Sequence, residues 1–223
     1  MITNMNNEGV AHLKSGDYKT AITTFSCALK SCQQQILGDV ETDTRSLEEY
    51  MDLSSKNSNQ DENEDGGNQV IYRHAIIVPE MQRDCLNNTC KNTITATMMS
   101  TIVIFNQAIA HHLMALEVMV IQQEEKEAFH FLRKAAKLYD FCLTLAHHEH
   151  KMCSSGSLFV LASINNMALV YMAMHANDVA DHCLEQLLAS LMFVIGRGGS
   201  IKFDGFFANT SYLIFSAAPA AAA

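Results

Sequence analysis

The 223-residue chain has no tryptophan, two prolines and a deficit of basic residues, 15 Lys and Arg against 24 Asp and Glu. The scarcity of proline leaves long stretches free to form uninterrupted helix, since proline removes a backbone donor and breaks helix interiors. The deficit of base excludes an electrostatic footprint for nucleic acid, and the isolated Arg197-Gly198-Gly199 is too short to make one. No CxxC occurs among the seven cysteines, an odd number at irregular spacing, so neither a disulfide framework nor a common zinc ligand pattern is indicated. The first ten residues lack both a basic region and an apolar run, so no secretory leader is read there. The sequons at Asn87 and Asn209 are then expected to go unused, in a reducing, cytoplasmic setting.

What is present is 48% apolar residues, including 13 methionines, a composition suited to an adaptable helical core. Residues 38–68 hold ten acids and two bases, a net −8, leaving about −1 for the remainder. That stretch, rich also in Ser, Asn and Gly, reads as a disordered acidic insert. Around it the periodicity predicts helices over 4–15, 18–36, 93–121, 127–149, 157–175, from the Asn177-Asp178 turn to 195, and over 203–216. The units are a first helix pair at 1–37, the insert at 38–68, an extended or irregular linker at 69–92, the remaining pairs with a closing helix at 93–217, and a frayed tail at 218–223. Residues 92–116 lack charge and are long enough to span a bilayer. Asn106, Gln107, His111 and His112 would be costly in hydrocarbon, so this run reads as a central protein-covered helix.

Residues 5–29 carry the most specific pattern. Small Gly9 falls in the first helix, Ser15-Gly16-Asp17-Tyr18 forms the turn, and Ala21, Phe25, Ala28 and Leu29 follow in the second. Small residues permit close helix approach, Gly16 supplies the left-handed turn position, and Asp17 can cap the second helix. This stretch resembles a tetratricopeptide (TPR) repeat. Ser163–Leu188 echoes it, with Asn166, Ala168 and Ala180 at the spacing of Asn7, Gly9 and Ala21. Residues 102–143 form a stretched echo through Asn106, Ala108, Ala135, Tyr139, Cys142 and Leu143. The resemblance implies an all-α array of antiparallel helix pairs, about seven helices in all, closed by a capping helix.

In TPR-like proteins the first helices line a concave groove, where an asparagine can bond an extended peptide backbone through its amide donor and acceptor. The candidate groove residues are Asn7, Asn106 and Asn166, with Val10, Ile109, Leu169 and His112 beside them. A second reading has each asparagine bonding a neighbouring helix or water. The groove lacks bases at Asn6, Val10, Ala162 and Asn166, which argues against clamping the acidic tails of heat-shock chaperones. His147, His148 and His150 with Cys142 and Cys153 do not supply the fixed frame that zinc requires. No nucleophile elbow, P-loop, dinucleotide-binding or HExxH motif occurs, so no catalytic residue, metal or cofactor is expected.

The sequence therefore points to a non-catalytic scaffold or adaptor for a protein or peptide partner, with no nucleic-acid or membrane role. Two alternatives remain open: an array whose groove is filled by its own residues 70–79, and a bundle that binds a metal or small ligand. Val70–Pro79, β-branched and loosely alternating, is expected to run extended against the first helices of the second or third pair, covering Phe105, Ile109 and Leu169.

Overall fold

The computed structural model describes residues 1–36, 70–78, 96–122, 124–148, 158–198 and 204–216. Among these, every regular element is helical: α1 (Ile2–Lys14), α2 (Tyr18–Ile36), α3 (Ala96–Glu117), α4 (Glu125–His148), α5 (Leu158–Ala173), α6 (Asn177–Gly196) and α7 (Gly205–Ser216). A five-residue π-helical turn, Val118–Gln122, extends α3. The expected acidic insert at 38–68 and residues 79–92 of the linker lie outside the described residues.

Each helix packs on the next in chain order, which makes an array of the pairs α1–α2, α3–α4 and α5–α6, with α7 added at the end. Within the first pair, Gly9 is required by geometry: a Cβ there would lie 2.5 Å from Phe25 Cε1. Phe25, Ala21 and Ala28 are fully buried at this crossing. The α1–α2 turn closes by a Schellman motif, in which Gly16 N–H bonds the Leu13 carbonyl and Asp17 N–H bonds the His12 carbonyl. Gly16 takes φ +81°, and Asp17 Oδ1 caps α2 by accepting from Thr20 N–H at 3.1 Å.

The third pair repeats this closure with less suitable residues. His175 occupies the left-handed position at φ +59°, and Ala176, which precedes α6, makes no side-chain cap. The turn therefore lies at Met174–Ala176, and Asn177 already belongs to the helix, contrary to the turn expected at Asn177-Asp178.

The helices α3 and α5 are apolar on nearly all sides and mostly buried. They are the central layer, screened by α2, α4 and α6, as a helix without a polar face must be. By length and composition two stretches, Thr97–Ile121 and Asn177–Gly196, could cross a membrane; of the apolar 18-residue window in each, 78% of the first and 28% of the second is buried within the array.

Among the described residues, α1 also packs on α3, and α5 on α7, although neither pair is consecutive in the chain. These link first helices to first helices, and they set the geometry of the groove.

Candidate functional site

Residues 70–78 run extended across the first helices, from α7 at Val70 to α1 at Val78, opposite to the order of the pairs. Alternate residues of an extended chain turn their N–H and C=O groups to the same edge. A strand neighbour would normally satisfy that edge. Here asparagines do so, each offering one acceptor and one donor to a single residue.

Asn7 Oδ1 accepts from Val78 N–H at 3.0 Å, and its Nδ2 donates to the Val78 carbonyl at 2.7 Å. Asn106 holds Ile76 in the same way, at 2.8 and 2.9 Å. Asn166 holds Tyr72 with two bonds of 2.9 Å. Asn209 on α7 holds Val70 at 2.8 and 2.7 Å. The gripped residues are thus 70, 72, 76 and 78, all on one edge of the segment.

Two further asparagines complete the arrangement. Asn6 Nδ2 donates to the Ile76 carbonyl at 3.0 Å, while Asn6 Oδ1 accepts from Asn106 Nδ2 at 2.9 Å. Asn165 Nδ2 donates to the Val70 carbonyl at 3.2 Å, while Asn165 Oδ1 accepts from Asn209 Nδ2 at 2.6 Å. The site is therefore one three-asparagine clamp used twice. Asn6, Asn7 and Asn106 grip Ile76 and Val78; Asn165, Asn166 and Asn209 grip Val70 and Tyr72, six residues away. Each clamp sits where two first helices touch, α1 on α3 and α5 on α7. Between α3 and α5 the described contact is through side chains, Phe105 on Phe159, and the segment places three residues, 73–75, between the clamps, about 13 Å of extended chain from Tyr72 to Ile76.

The side chains are sorted by depth. Tyr72, Ala75, Ile76 and Val78 are buried to the level of the core, whereas Arg73 is exposed. The Tyr72 ring stacks on Phe206 at 6.0 Å between centroids and meets Phe105 at 6.4 Å. Phe105 in turn packs on Phe159 and Tyr139, and the Tyr139 hydroxyl accepts from Asn166 Nδ2 at 3.1 Å. Burial raises the Tyr72 and Tyr139 phenols above their ordinary range, so both remain neutral.

Of the residues expected from sequence, Asn7, Asn106 and Asn166 meet on one ligand, the protein's own segment. That segment also reaches α1 and α7, beyond the second and third pairs where it was expected. Val10, Ile109 and Leu169 are buried interior residues and line no open groove. His112 is buried against Tyr139, its Nδ1 without a hydrogen-bond partner; burial first, then the charge of Arg73, lowers its pKa to about 3. His111 is lowered to about 4 by burial, with Lys134 and His130 adding to the effect.

Asn209 belongs to the site as well, beyond the residues expected from sequence. A readable signal existed: Asn7, Asn106 and Asn166 are each followed two residues later by Gly or Ala, and Asn209 by Ser211. The closing helix is thus a fourth first helix, not only a cap. Both hydrogens of Asn209 Nδ2 are engaged, so its sequon offers no free amide in the folded chain.

Among the described residues no three His, Cys, Asp or Glu side chains converge on a point that could hold a metal. What the arrangement can do chemically is hold a peptide backbone: ten hydrogen bonds run from six asparagines to four residues, with no charged group among them.

The fold and site together define an all-α helical array with an asparagine-lined peptide cradle. Compared with known proteins, the chain matches no family model, no curated protein and no solved structure.

Proposed function

We propose that this protein is a non-catalytic interaction scaffold or adaptor of the TPR-like kind, whose groove serves to hold an extended peptide backbone. The observation that carries the reading is the repeated clamp. Asparagines that bond the N–H and C=O of one residue are indifferent to its side chain and suit any extended chain of compatible bulk. The neutral, amide-rich lining favours a protein or peptide partner over an anion. The TPR-like pattern of residues 5–29 supports the same class, as does the absence of a catalytic motif in the sequence. The test is affinity capture with the intact chain and with Asn106→Ala, compared at equal helicity. Proteins retained by the first and lost from the second support the reading. A chain that reproducibly retains no protein rejects it.

A second reading is favoured by one observation: Tyr72 and Ile76 are as buried as the helix core, at 1% and 0% exposure. In that reading the segment is a permanent structural strut, and partners use the outer helix faces. Amide hydrogen exchange separates the two. A segment that opens by itself exchanges at Tyr72 and Ile76 well before the core of α3; a strut exchanges only with global unfolding.

A further inference from the structure

The two clamps fix the backbone at points six residues apart, and the depth of the intervening side chains is not uniform. Tyr72 enters a box formed by Phe206 and Phe105. Ala75, 3% exposed, is part of the packed core, where added volume is costly. Ile76 and Val78 are 0% and 2% exposed. Arg73 faces outward, and Ile71, His74 and Ile77 are only partly covered. A cradle of this kind selects most strongly by apolar shape at the four buried positions, with Ile77 and His74 contributing at its margin.

We infer that the groove reads the pattern aromatic-x-x-Ala-Ile-x-Val in an extended peptide laid from α7 to α1, and that residues 70–78 are a resident copy that a partner segment bearing this pattern replaces. The inference rests on the peptide-holding reading above and adds the sequence that the groove prefers. The resident copy has a large advantage, because tethering within the same chain gives an effective concentration on the order of millimolar. A partner therefore gains access where the resident copy is weakened or the partner is concentrated beside it.

The test uses the full chain and a fluorescein-labelled peptide spanning residues 69–79. In Val78→Asp the resident copy is weakened at the position held by Asn7. The labelled wild-type peptide should bind this variant at least about tenfold more tightly than the wild-type chain, the tethered competitor having been handicapped. In the peptide, Ile76→Asp should weaken binding by about a hundredfold or more, because the carboxylate would lose water without a cation to pair with. Arg73→Lys in the peptide, which keeps the charge that reaches His112, should change binding by less than about threefold, since the side chain is exposed. Should Val78→Asp lose helicity, recovery of helicity on adding the wild-type peptide, and not the Ile76→Asp peptide, supports the inference equally. Failure to recover it counts against the inference. Equal binding of all three peptides would overturn the pattern and leave a groove that grips any backbone. No binding by any peptide to a folded Val78→Asp chain would overturn the exchange itself, while protein capture by the intact chain would still report on the scaffold.

Discussion

Asn166→Ala should be the most damaging single substitution in the cradle. Asn166 bonds both backbone groups of Tyr72, accepting from its N–H and donating to its carbonyl. Tyr72 is 1% exposed, so water cannot replace the lost bonds. A buried unsatisfied donor or acceptor costs ~1–3 kcal/mol, so the two orphans cost ~2–6 kcal/mol, with the loss to Tyr139 and Asn165 in addition. Asn106→Ala differs in one respect. The Ile76 carbonyl keeps the bond from Asn6, so on the segment only the Ile76 N–H is orphaned, a cost of ~1–3 kcal/mol, with the loss to Asn6 Oδ1 in addition. Asn7→Ala also removes both bonds to the Val78 backbone, but Asn7 is only partly buried, so water can enter in its place and the cost should be ~1 kcal/mol. Urea unfolding at neutral pH, with slopes compared to confirm that the transition is the same, gives the three values. An order other than Asn166, Asn106, Asn7 would refute the reasoning, and so would a change below ~0.5 kcal/mol for Asn166→Ala, the level typical of surface sites.

Further outcomes follow from the rest of the fold. Gly9→Ala should destabilise by ~1–3 kcal/mol through overpacking on Phe25, measured by thermal melting beside Lys19→Ala as a surface control. Ala176→Asp should stabilise by ~0.5–2 kcal/mol, because it gives α6 the side-chain cap that Asp17 gives α2; no rise in melting temperature would argue against the equivalence of the two turns. His111 and His112 are held neutral, with pKa values lowered to about 4 and about 3 from an ordinary 6.5. The unfolded chain therefore binds more protons below pH 6.5. Stability is full above that pH and falls as pH drops toward the folded values, by up to ~1.4 kcal/mol per pH unit per histidine. Urea midpoints at pH 7.5 and 5.0 should differ accordingly, and His111→Phe with His112→Phe should flatten that difference.

Much of this was legible in the sequence, for identifiable reasons. The helix pairs announce themselves because Gly9, Ala21 and Phe25 are fixed in size and spacing by a close crossing. The extended segment is visible because Ile71, Ile76, Ile77 and Val78 are β-branched and lie outside any helical period. Of the four asparagines that each hold both backbone groups of one residue, Asn7, Asn106 and Asn166 were legible from their place before a small residue. The remaining features depend on contacts between distant parts of the chain. An apolar residue on a first helix, such as Val10 or Ile109, reads the same whether it lines an open groove or a filled one. Asn209 carries a sequon, whose processing meaning obscures its place in the ladder. The likeness between Asn6–Asn7 and Asn165–Asn166 gains significance only when α1–α3 and α5–α7 are seen to touch. His175 gives no sign of its left-handed backbone, because histidine, unlike Gly16, is not selected for that conformation.

The reversed direction of the segment sets an order on synthesis. Residues 70–78 leave the ribosome after α1 and α2 but before α3, α5 and α7, which supply most of the bonds that hold them. Val70 and Asn209 are 139 residues apart in sequence. At ~5–20 residues per second, the interval between them is roughly 7–28 seconds. For that time the nascent chain displays an apolar, β-prone run whose final partner has not been made, a state open to aggregation and to chaperone capture. A chain terminated between Asn166 and Asn209 keeps the first clamp and lacks a third of the second, so the cradle closes only once Asn209 has been translated.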